Sequence, residues 1–274
     1  HSDPVIVKSV ETVRCRSNMV WNFKAAASEK LKRQIFTVLE YILENYEISR
    51  LREYKLTGLQ LFYEFCIREQ ITDIQLLELE QETAFQDYLK QKVEKEQRRK
   101  RLKSIVETAR KVIFIETDET RWDATIWYLE RFQFADSRKN PARSIKTISF
   151  IEILHKENRH LCQRYMKYCL GITHLAVKNI AAEYTILKNF LIWLQQEKAI
   201  SVKNADSNIM EKYFRLLDSK NIKEGTFNNM LQAITHFFDY LKVQDIIQKV
   251  PYHVEYYLKK EIYTHHNRSV NEDV

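Results

Sequence analysis

Glycine and proline are too scarce in this chain for most loop-rich folds, since its 274 residues contain only three of each. At average usages of about 7% and about 5%, roughly 19 glycines and 14 prolines would be expected. The three glycines, Gly58, Gly171 and Gly225, also stand far apart. P-loop and Rossmann nucleotide sites need clustered glycines, which let the backbone approach phosphate closely. The composition therefore predicts an all-α fold and excludes both kinds of nucleotide site.

The length of the chain indicates two domains, because a single hydrophobic core usually stops growing before this size. No apolar run approaches the ~18 residues of a membrane span. The first residues contain neither a basic n-region nor an apolar h-region. We therefore expect a soluble, cytoplasmic protein that does not bind membranes. Its four cysteines have no CxxC spacing and are expected to be buried free thiols; they are Cys15, Cys66, Cys162 and Cys169.

The positive charge is concentrated in two blocks. Residues 90–111 carry ten basic and three acidic side chains, and residues 138–178 carry nine basic and two acidic ones. Each block has a net charge of +7, so the rest of the chain sums to −7. Two basic blocks on an otherwise acidic chain favour binding to a polyanion, because lysine and arginine near phosphates release condensed counterions. Solvated helix faces are the alternative interpretation.

Apolar residues recur at helical spacing through most of the chain. The predicted helices span 25–46, 49–70, 73–92, 98–115, 150–170, 174–197, 206–219, 225–243 and 252–262. Ser207 is the expected cap of the helix at 206–219. The stretch 117–147 is predicted to be an irregular connection, with a short extended piece at 146–150. The resulting division is an N-terminal arm and helix (1–48), a first helical domain (49–116), an irregular linker (117–149), a second helical domain (150–262) and a final linker (263–274).

The chain also resembles itself at a shift of 128 positions. Apolar residues fall on apolar residues without a gap, in the pairs Phe62 and Phe190, Phe65 and Trp193, Phe85 and Tyr213, Leu89 and Leu217, Leu102 and Met230, Ile105 and Ala233, Val106 and Ile234, Ile113 and Leu241. The shift also brings the basic stretch 98–111 onto the predicted helix at 226–239. We therefore expect two tandem helical bundles, although any two bundles with similar loop lengths would produce part of this match.

One pattern in the second half carries a family resemblance. An aromatic helix containing Phe190 and Trp193 is followed by a short helix at 209–217. The segment Thr226-Phe227-Asn228-Asn229 then opens an Ala-Ile…Phe-Phe…Tyr-Leu helix. This order resembles the SAM-like core-binding domain of tyrosine recombinases and phage-type integrases, over about 174–262. The first half resembles a second, more diverged copy, as in the transposase-B type recombinases of site-specific transposons and conjugative elements.

The resemblance implies sequence-specific binding of double-stranded DNA by the amino-terminal clamp half of a recombinase or transposase of a bacterial mobile element. Implied partners are transposon or attachment-site ends, with a homo-oligomer of the full-length protein on DNA in the nucleoid. No cofactor or metal is implied. In the family a separate carboxy-terminal domain supplies the tyrosine nucleophile and its arginine, lysine and histidine partners. We expect that domain after Val274, no catalytic residue within this chain, and only a coincidental match at His265-x-x-Arg268.

The resemblance also implies which residues contact DNA. The starts of the helices at about 178–197 and 226–243 are expected to face successive grooves, through Lys178, Tyr184, Lys188, Lys223, Thr226, Asn228 and Asn229. Core packing is the alternative for Tyr184. The repeat places a second group of basic residues opposite the helix at 226–239, namely Arg98, Arg99, Arg101 and Lys103. Two or three of them should face one groove of the DNA. A third group in the linker is expected to contact phosphates, namely Arg138, Lys139, Arg143 and Lys146.

Two other classes of function remain as alternatives. An α-helical protein-interaction scaffold would use its basic faces only for solubility and would bind no duplex. A self-contained enzyme is disfavoured because no Ser/His/Asp or Cys/His constellation is recognisable from the order of the residues. The histidine pairs at His155 and His160 and at His265 and His266 lack a Cys or carboxylate partner at useful spacing, so no metal site is expected.

Overall fold

The computed structural model describes residues 21–47, 49–139, 144–197 and 200–260. The fold is all-α, as predicted, with one small sheet in the described part of the chain. The helices are α1 (Glu29–Asn45), α2 (Arg50–Arg68), α3 (Leu79–Lys92), α4 (Glu96–Lys103), α5 (Ile105–Glu116), α6 (Lys156–Gly171), α7 (Val177–Glu197), α8 (Ser207–Asp218) and α9 (Glu224–Val243). The strands are β1 (Ile126–Tyr128) and β2 (Thr147–Ser149).

The chain divides into two compact units. The first comprises residues up to Glu152 together with Ala176–Lys178, and the second comprises Ile153–Leu175 and the chain from Asn179 onward. Helix α1 therefore belongs to the first bundle, whereas the sequence analysis grouped it with an N-terminal arm. Residues 1–20 of the predicted arm lie outside the described residues, as does all of the linker predicted at 263–274.

Helix α1 shows why the first bundle forms. Ser28 caps the helix, its Oγ accepting a hydrogen bond from the Leu31 amide at 3.1 Å. A stripe at helical spacing is fully buried, and it consists of Leu31, Ile35, Val38 and Ile42. Helix α2 approaches the α4–α5 junction so closely that a Cβ on Gly58 would lie 3.0 Å from the Leu102 carbonyl oxygen. A side chain at this crossing would therefore need a small shift of the Leu102 backbone.

The predicted irregular linker is instead packed into the first unit. Strands β1 and β2 pair antiparallel, with Trp127 opposite Ile148. Trp127 and Phe150 are fully buried, and their ring centroids lie 4.7 Å apart. The prediction of an irregular linker was thus wrong for β1. The aromatic residues of this stretch lack helical spacing because they fill a core beside a short sheet, and that spacing was taken for irregular structure. The extended piece predicted at 146–150 is confirmed by β2.

The second unit contains α6, α8, α9 and all of α7 except its first residues, Val177 and Lys178. Two predictions about it were wrong. Asp206, not Ser207, caps α8, because its Oδ1 accepts a hydrogen bond from the Ile209 amide at 2.9 Å. The helix predicted at 252–262 is absent from the described residues 252–260, which contain only a 3₁₀ turn at Val254–Tyr256. Tyr252 and Tyr257 instead pack their rings on Phe214, at 5.1 and 4.7 Å.

The repeat at 128 positions is confirmed by the element boundaries. Helices α3 and α8 begin at Leu79 and Ser207, and α4 and α9 begin at Glu96 and Glu224. The ring packing repeats as well: Phe62 and Phe85 meet edge-to-face at 5.1 Å, and their counterparts Phe190 and Tyr213 meet edge-to-face at 5.0 Å. The two bundles therefore share one architecture.

The main difference between the repeats lies in the basic helix region. In the first bundle the predicted helix 98–115 is broken at Ser104 into α4 and α5, while its counterpart α9 runs unbroken from Glu224 to Val243. Ser104 is held at this break by Lys55, whose Nζ lies 3.0 Å from its Oγ. Lys55 is buried in the α2 face that meets the junction. The break thus sets the direction of the short basic helix α4.

Candidate nucleic-acid interface

The start of α9 presents polar side chains on one side of the helix. Lys223, Thr226 and Asn229 are all exposed, and their spacing of three residues keeps them within about a third of the helix circumference. Lys223 is the N-cap residue, and no side chain among the described residues caps the helix there. The first backbone N–H groups of α9 are therefore available to an anion beside a lysine ammonium.

Asn228 is engaged with its own chain. Its Nδ2 donates to the Lys259 carbonyl oxygen at 2.9 Å, and its Oδ1 accepts from the Lys259 amide at 3.0 Å. The Lys259 ammonium lies 4.5 Å from the centroid of the Phe227 ring and forms an ion pair with Asp218. Asn228 therefore fastens the segment 251–260 to the start of α9, and we leave it out of the candidate interface.

The candidates on α7 differ in accessibility. Lys178, in the first turn of the helix, is exposed, and Lys188 is half-buried. Tyr184 is only 6% exposed. Its ring packs in the core, which agrees with the alternative interpretation for this residue and removes it from the candidate interface.

The basic residues of α4 fall into two groups. Arg98, Arg101 and Lys103 are exposed. At 100° per residue Arg98 and Arg101 lie on the same side of the helix, while Lys103 points away from them. Arg99 is turned back onto the preceding loop, where its Nη1 donates to the Val93 carbonyl oxygen at 2.9 Å and to that of Glu94. Arg98 and Arg101 thus form the basic side of α4, with Arg99 fixing the loop that leads into it.

The starts of α4 and α9 are equivalent in the repeat. Lys95 is the N-cap of α4 and lies 128 positions before Lys223; again no described side chain caps the helix. Arg98 and Arg101 correspond to Thr226 and Asn229 in the same way, and all six side chains are exposed. Sequence reasoning missed Lys95, although the shift of 128 positions would have found it opposite Lys223.

A groove of about 790 Å³ lies beside the start of α4. Lys92, Lys95 and Arg98 contribute its positive charge, and Glu64 and Glu94 also line it. The Glu64 carboxylate accepts a hydrogen bond from the Tyr88 hydroxyl at 3.0 Å. This acidic wall makes the groove itself less suited to a polyanion than the exposed side of α4.

The linker candidates gather elsewhere in the first unit. Lys139, Lys146 and Lys178 line a single pocket of about 700 Å³. The Arg138 guanidinium lies 5.2 Å from the centroid of the Phe134 ring. Arg143 lies outside the described residues. Two lysines of the predicted linker group and Lys178 of the predicted helix-start group are therefore brought together in one site.

Histidine and cysteine side chains in the described part of the chain have structural contacts. Among the described residues no three His, Cys, Asp or Glu side chains are grouped so as to hold a metal ion. His155 Nδ1 accepts a hydrogen bond from the Asn158 amide at 3.3 Å and so caps α6. Cys66, Cys162 and Cys169 are buried free thiols, as predicted, and burial raises the pKa of each. Cys15, the fourth cysteine of that prediction, lies outside the described residues. A thiol with a raised pKa is a poor nucleophile.

In the part of the chain that the structure describes, no helix combines the length and the apolar character needed to cross a membrane. The chain matches no protein-family model, no curated protein and no solved structure.

Proposed function

We propose that this chain binds double-stranded DNA as the amino-terminal clamp part of a tyrosine recombinase or transposase of a mobile element. The observation that carries the proposal is the repeated helix start. Lys95, Arg98 and Arg101 on α4 and their counterparts on α9 are exposed at matching positions of two similar bundles. A duplicated bundle that keeps a lysine N-cap and exposed polar or basic side chains at the same helix start in both copies suits a repetitive polyanion such as duplex DNA.

The two starts differ in a way that suggests a division of labour. The α4 surface offers long, always charged guanidinium groups, which favour phosphates and position a protein without reading sequence. The α9 surface offers Thr226 and Asn229, whose short polar side chains suit base edges as well as phosphates. Under this proposal the first bundle adds affinity and the second adds specificity.

The proposal assigns no catalytic step to the described residues. Strand cleavage and rejoining would belong to a further domain of the full-length protein, and several protomers would assemble on the DNA ends. Both statements rest on the family resemblance in the second half of the sequence.

The test is the affinity of the chain for duplexes that carry the ends of its own element. Lys223→Ala combined with Thr226→Ala is expected to weaken binding by roughly ten-fold or more, because it removes a phosphate contact and a polar contact at the groove. Lys242→Ala, at the exposed far end of the same helix, is the matched control and should leave the affinity unchanged. Equal affinities of the double variant and the control would refute the assignment of α9.

A protein-interaction scaffold is the second candidate, favoured by one apolar surface in the second unit. Ile172 at the end of α6 is 69% exposed and Val243 at the end of α9 is 76% exposed. Tyr168 and Tyr240, one turn before them, pack ring to ring at 5.3 Å. A scaffold would bind through such a surface and show no duplex binding at any salt concentration.

A further inference from the structure

The pocket that gathers Lys139, Lys146 and Lys178 combines an apolar floor with a basic rim. All its residues belong to the first unit, which includes Ala176–Lys178. Phe132 and Phe134 form the aromatic part of the floor, and the lysines are exposed around it. Its volume of about 700 Å³ falls in the range of small-molecule sites.

The floor is fixed before any ligand arrives. Phe132 stacks on Trp122, with ring centroids 5.1 Å apart and planes 17° apart. Arg131 holds the same turn, since its Nη1 donates to the carbonyl oxygens of Phe114 and Ile115 at 2.9 and 2.6 Å. Such anchoring reduces the entropy lost when a ligand binds.

The small sheet fixes one side of the rim. Lys146 directly precedes β2, and its carbonyl oxygen accepts a hydrogen bond from the amide of Leu129, directly after β1, at 2.8 Å. The backbone that carries this lysine is therefore tied to the backbone that carries the aromatic floor.

The rim has more positive charge than its own acids neutralise. The Lys139 ammonium lies 3.0 Å from Asp136, and Glu130, the acidic residue in the pocket wall, is paired with Lys111 at 2.8 Å. Lys146 and Lys178 form no ion pair with any other described residue. Two ammonium groups are thus left for an anionic ligand.

We propose that this pocket binds a nucleotide whose base is not stacked in a double helix. The base lies against Phe134 and its phosphates lie near Lys146 and Lys178. Aromatic side chains stack on the π-faces of bases, and neighbouring cations bind the phosphate backbone. Neither contact depends on the base sequence. A base within an intact duplex cannot reach a concave pocket, so the ligand is a free nucleotide or an unpaired stretch of strand. The inference rests on the proposed function, because it takes DNA to be the source of that strand.

The experiment measures binding of a fluorescein-labelled pentathymidylate by anisotropy, with thymidine monophosphate as competitor and a duplex measured in parallel. Phe134→Ala is expected to weaken pentamer binding roughly ten-fold. Lys146→Ala and Lys178→Ala should each lower the salt slope by about 0.7, the value per phosphate of a single strand. The matched controls are Phe36→Ala, a phenylalanine 48% exposed outside the pocket, and Lys24→Ala, an exposed lysine outside it. Neither control should change the binding.

Each outcome decides a separate point. Competition by the monophosphate at concentrations similar to the pentamer would identify the source as a free nucleotide, and poor competition would identify it as an unpaired strand. Duplex binding without pentamer binding, or equal effects of pocket and control variants, would overturn the pocket and leave the proposed function intact. Pentamer binding without duplex binding would overturn the proposed function alone. Phe134→Leu keeps the apolar volume without the ring, so its loss of binding would show that stacking, and not a folding defect, is responsible.

Discussion

Arg110 is the most buried charged side chain of the first bundle, with 1% of its surface exposed. Its Nη1 lies 2.7 Å from Glu82 Oε1, and its Nη2 donates to the Leu77 carbonyl oxygen at 2.8 Å. These contacts join α5 to the start of α3. Removing the acidic partner of a guanidinium at this depth is costly, because the surviving positive charge stays buried without an opposite charge.

Replacing one partner of this pair should therefore be much worse than replacing both. Glu82→Ala is expected to lower the free energy of unfolding by about 3–5 kcal/mol. The double variant Glu82→Leu with Arg110→Met, which leaves no unpaired charge, should lose much less. Urea denaturation of the single and double variants measures this difference, and equal losses would show that the pair contributes only packing.

Asp73 links stability to pH in the same bundle. Burial alone would raise its pKa, but hydrogen bonds from Lys30, Gln34, Arg121 and the Gln75 amide lower the pKa from 3.8 to about 2. The folded state thus binds fewer protons than the unfolded state between about pH 4 and pH 2. The stability contributed by this carboxylate is complete above that window and is lost as the pH falls through it.

Asp73→Asn should therefore flatten the acid limb of the stability curve. Wild-type protein is expected to lose stability from about pH 4 to pH 2 more steeply than the variant, in thermal denaturation followed by circular dichroism. Parallel curves over that range would show that Asp73 is not the linked group.

At the scale of elements, the segment 251–260 shows where helical spacing misleads. Tyr252, Tyr256 and Tyr257 recur as on a helix face, so the sequence predicts a helix. The segment instead packs its rings on Phe214 and is fastened by Asn228, a contact between residues 31 positions apart. Local periodicity contains no information about such a partner, whereas the apolar stripe of α1 is local and predicts that helix correctly.

Removing the hydrogen bonds between Asn228 and Lys259 should increase local unfolding of the segment 251–260 and leave DNA binding largely unchanged. Asn228→Ala is expected to speed proteolytic cleavage within residues 253–260, because two hydrogen bonds to the Lys259 backbone are lost. Limited proteolysis followed by mass spectrometry locates the cut. If Asn228→Ala instead abolished duplex binding at an unchanged rate of cleavage, Asn228 would be a DNA contact.

At the scale of the whole molecule, the sequence predicts the fold class and the repeat, because both depend on patterns spread along the chain. Residues such as Phe85 and Tyr213 keep the same role in both bundles, and a single shift reveals it. The first unit was predicted less well, since β1 and β2 are short and pair across 18 residues of intervening chain. For the candidate interface, the motif in the second half predicts the position of Lys223, which is exposed. The motif does not predict that Tyr184 packs in the core or that Arg99 turns back onto the preceding loop, because both depend on tertiary contacts.

Two bundles with equivalent surfaces should cover more DNA than one. Footprinting of the chain on its end sequence is expected to show protection over more than one helical turn. Deletion of residues 1–152, most of the first unit, should shorten the footprint and keep part of it. A footprint of unchanged length would make the first unit an interaction domain.

The salt dependence of duplex binding tests the central claim most directly. A chain that neutralises phosphates through Lys95, Arg98, Arg101 and Lys223 should give a linear fall of log K with log salt, with a slope of about 3.6 at about 0.9 per phosphate. Lys95→Ala, Arg98→Ala and Arg101→Ala together should flatten the slope by about 2.7 and weaken specific and random duplexes alike, while Lys103→Ala, on the other side of α4, should change neither. No measurable duplex binding at low salt, or a slope that the triple variant leaves unaltered, would contradict the account.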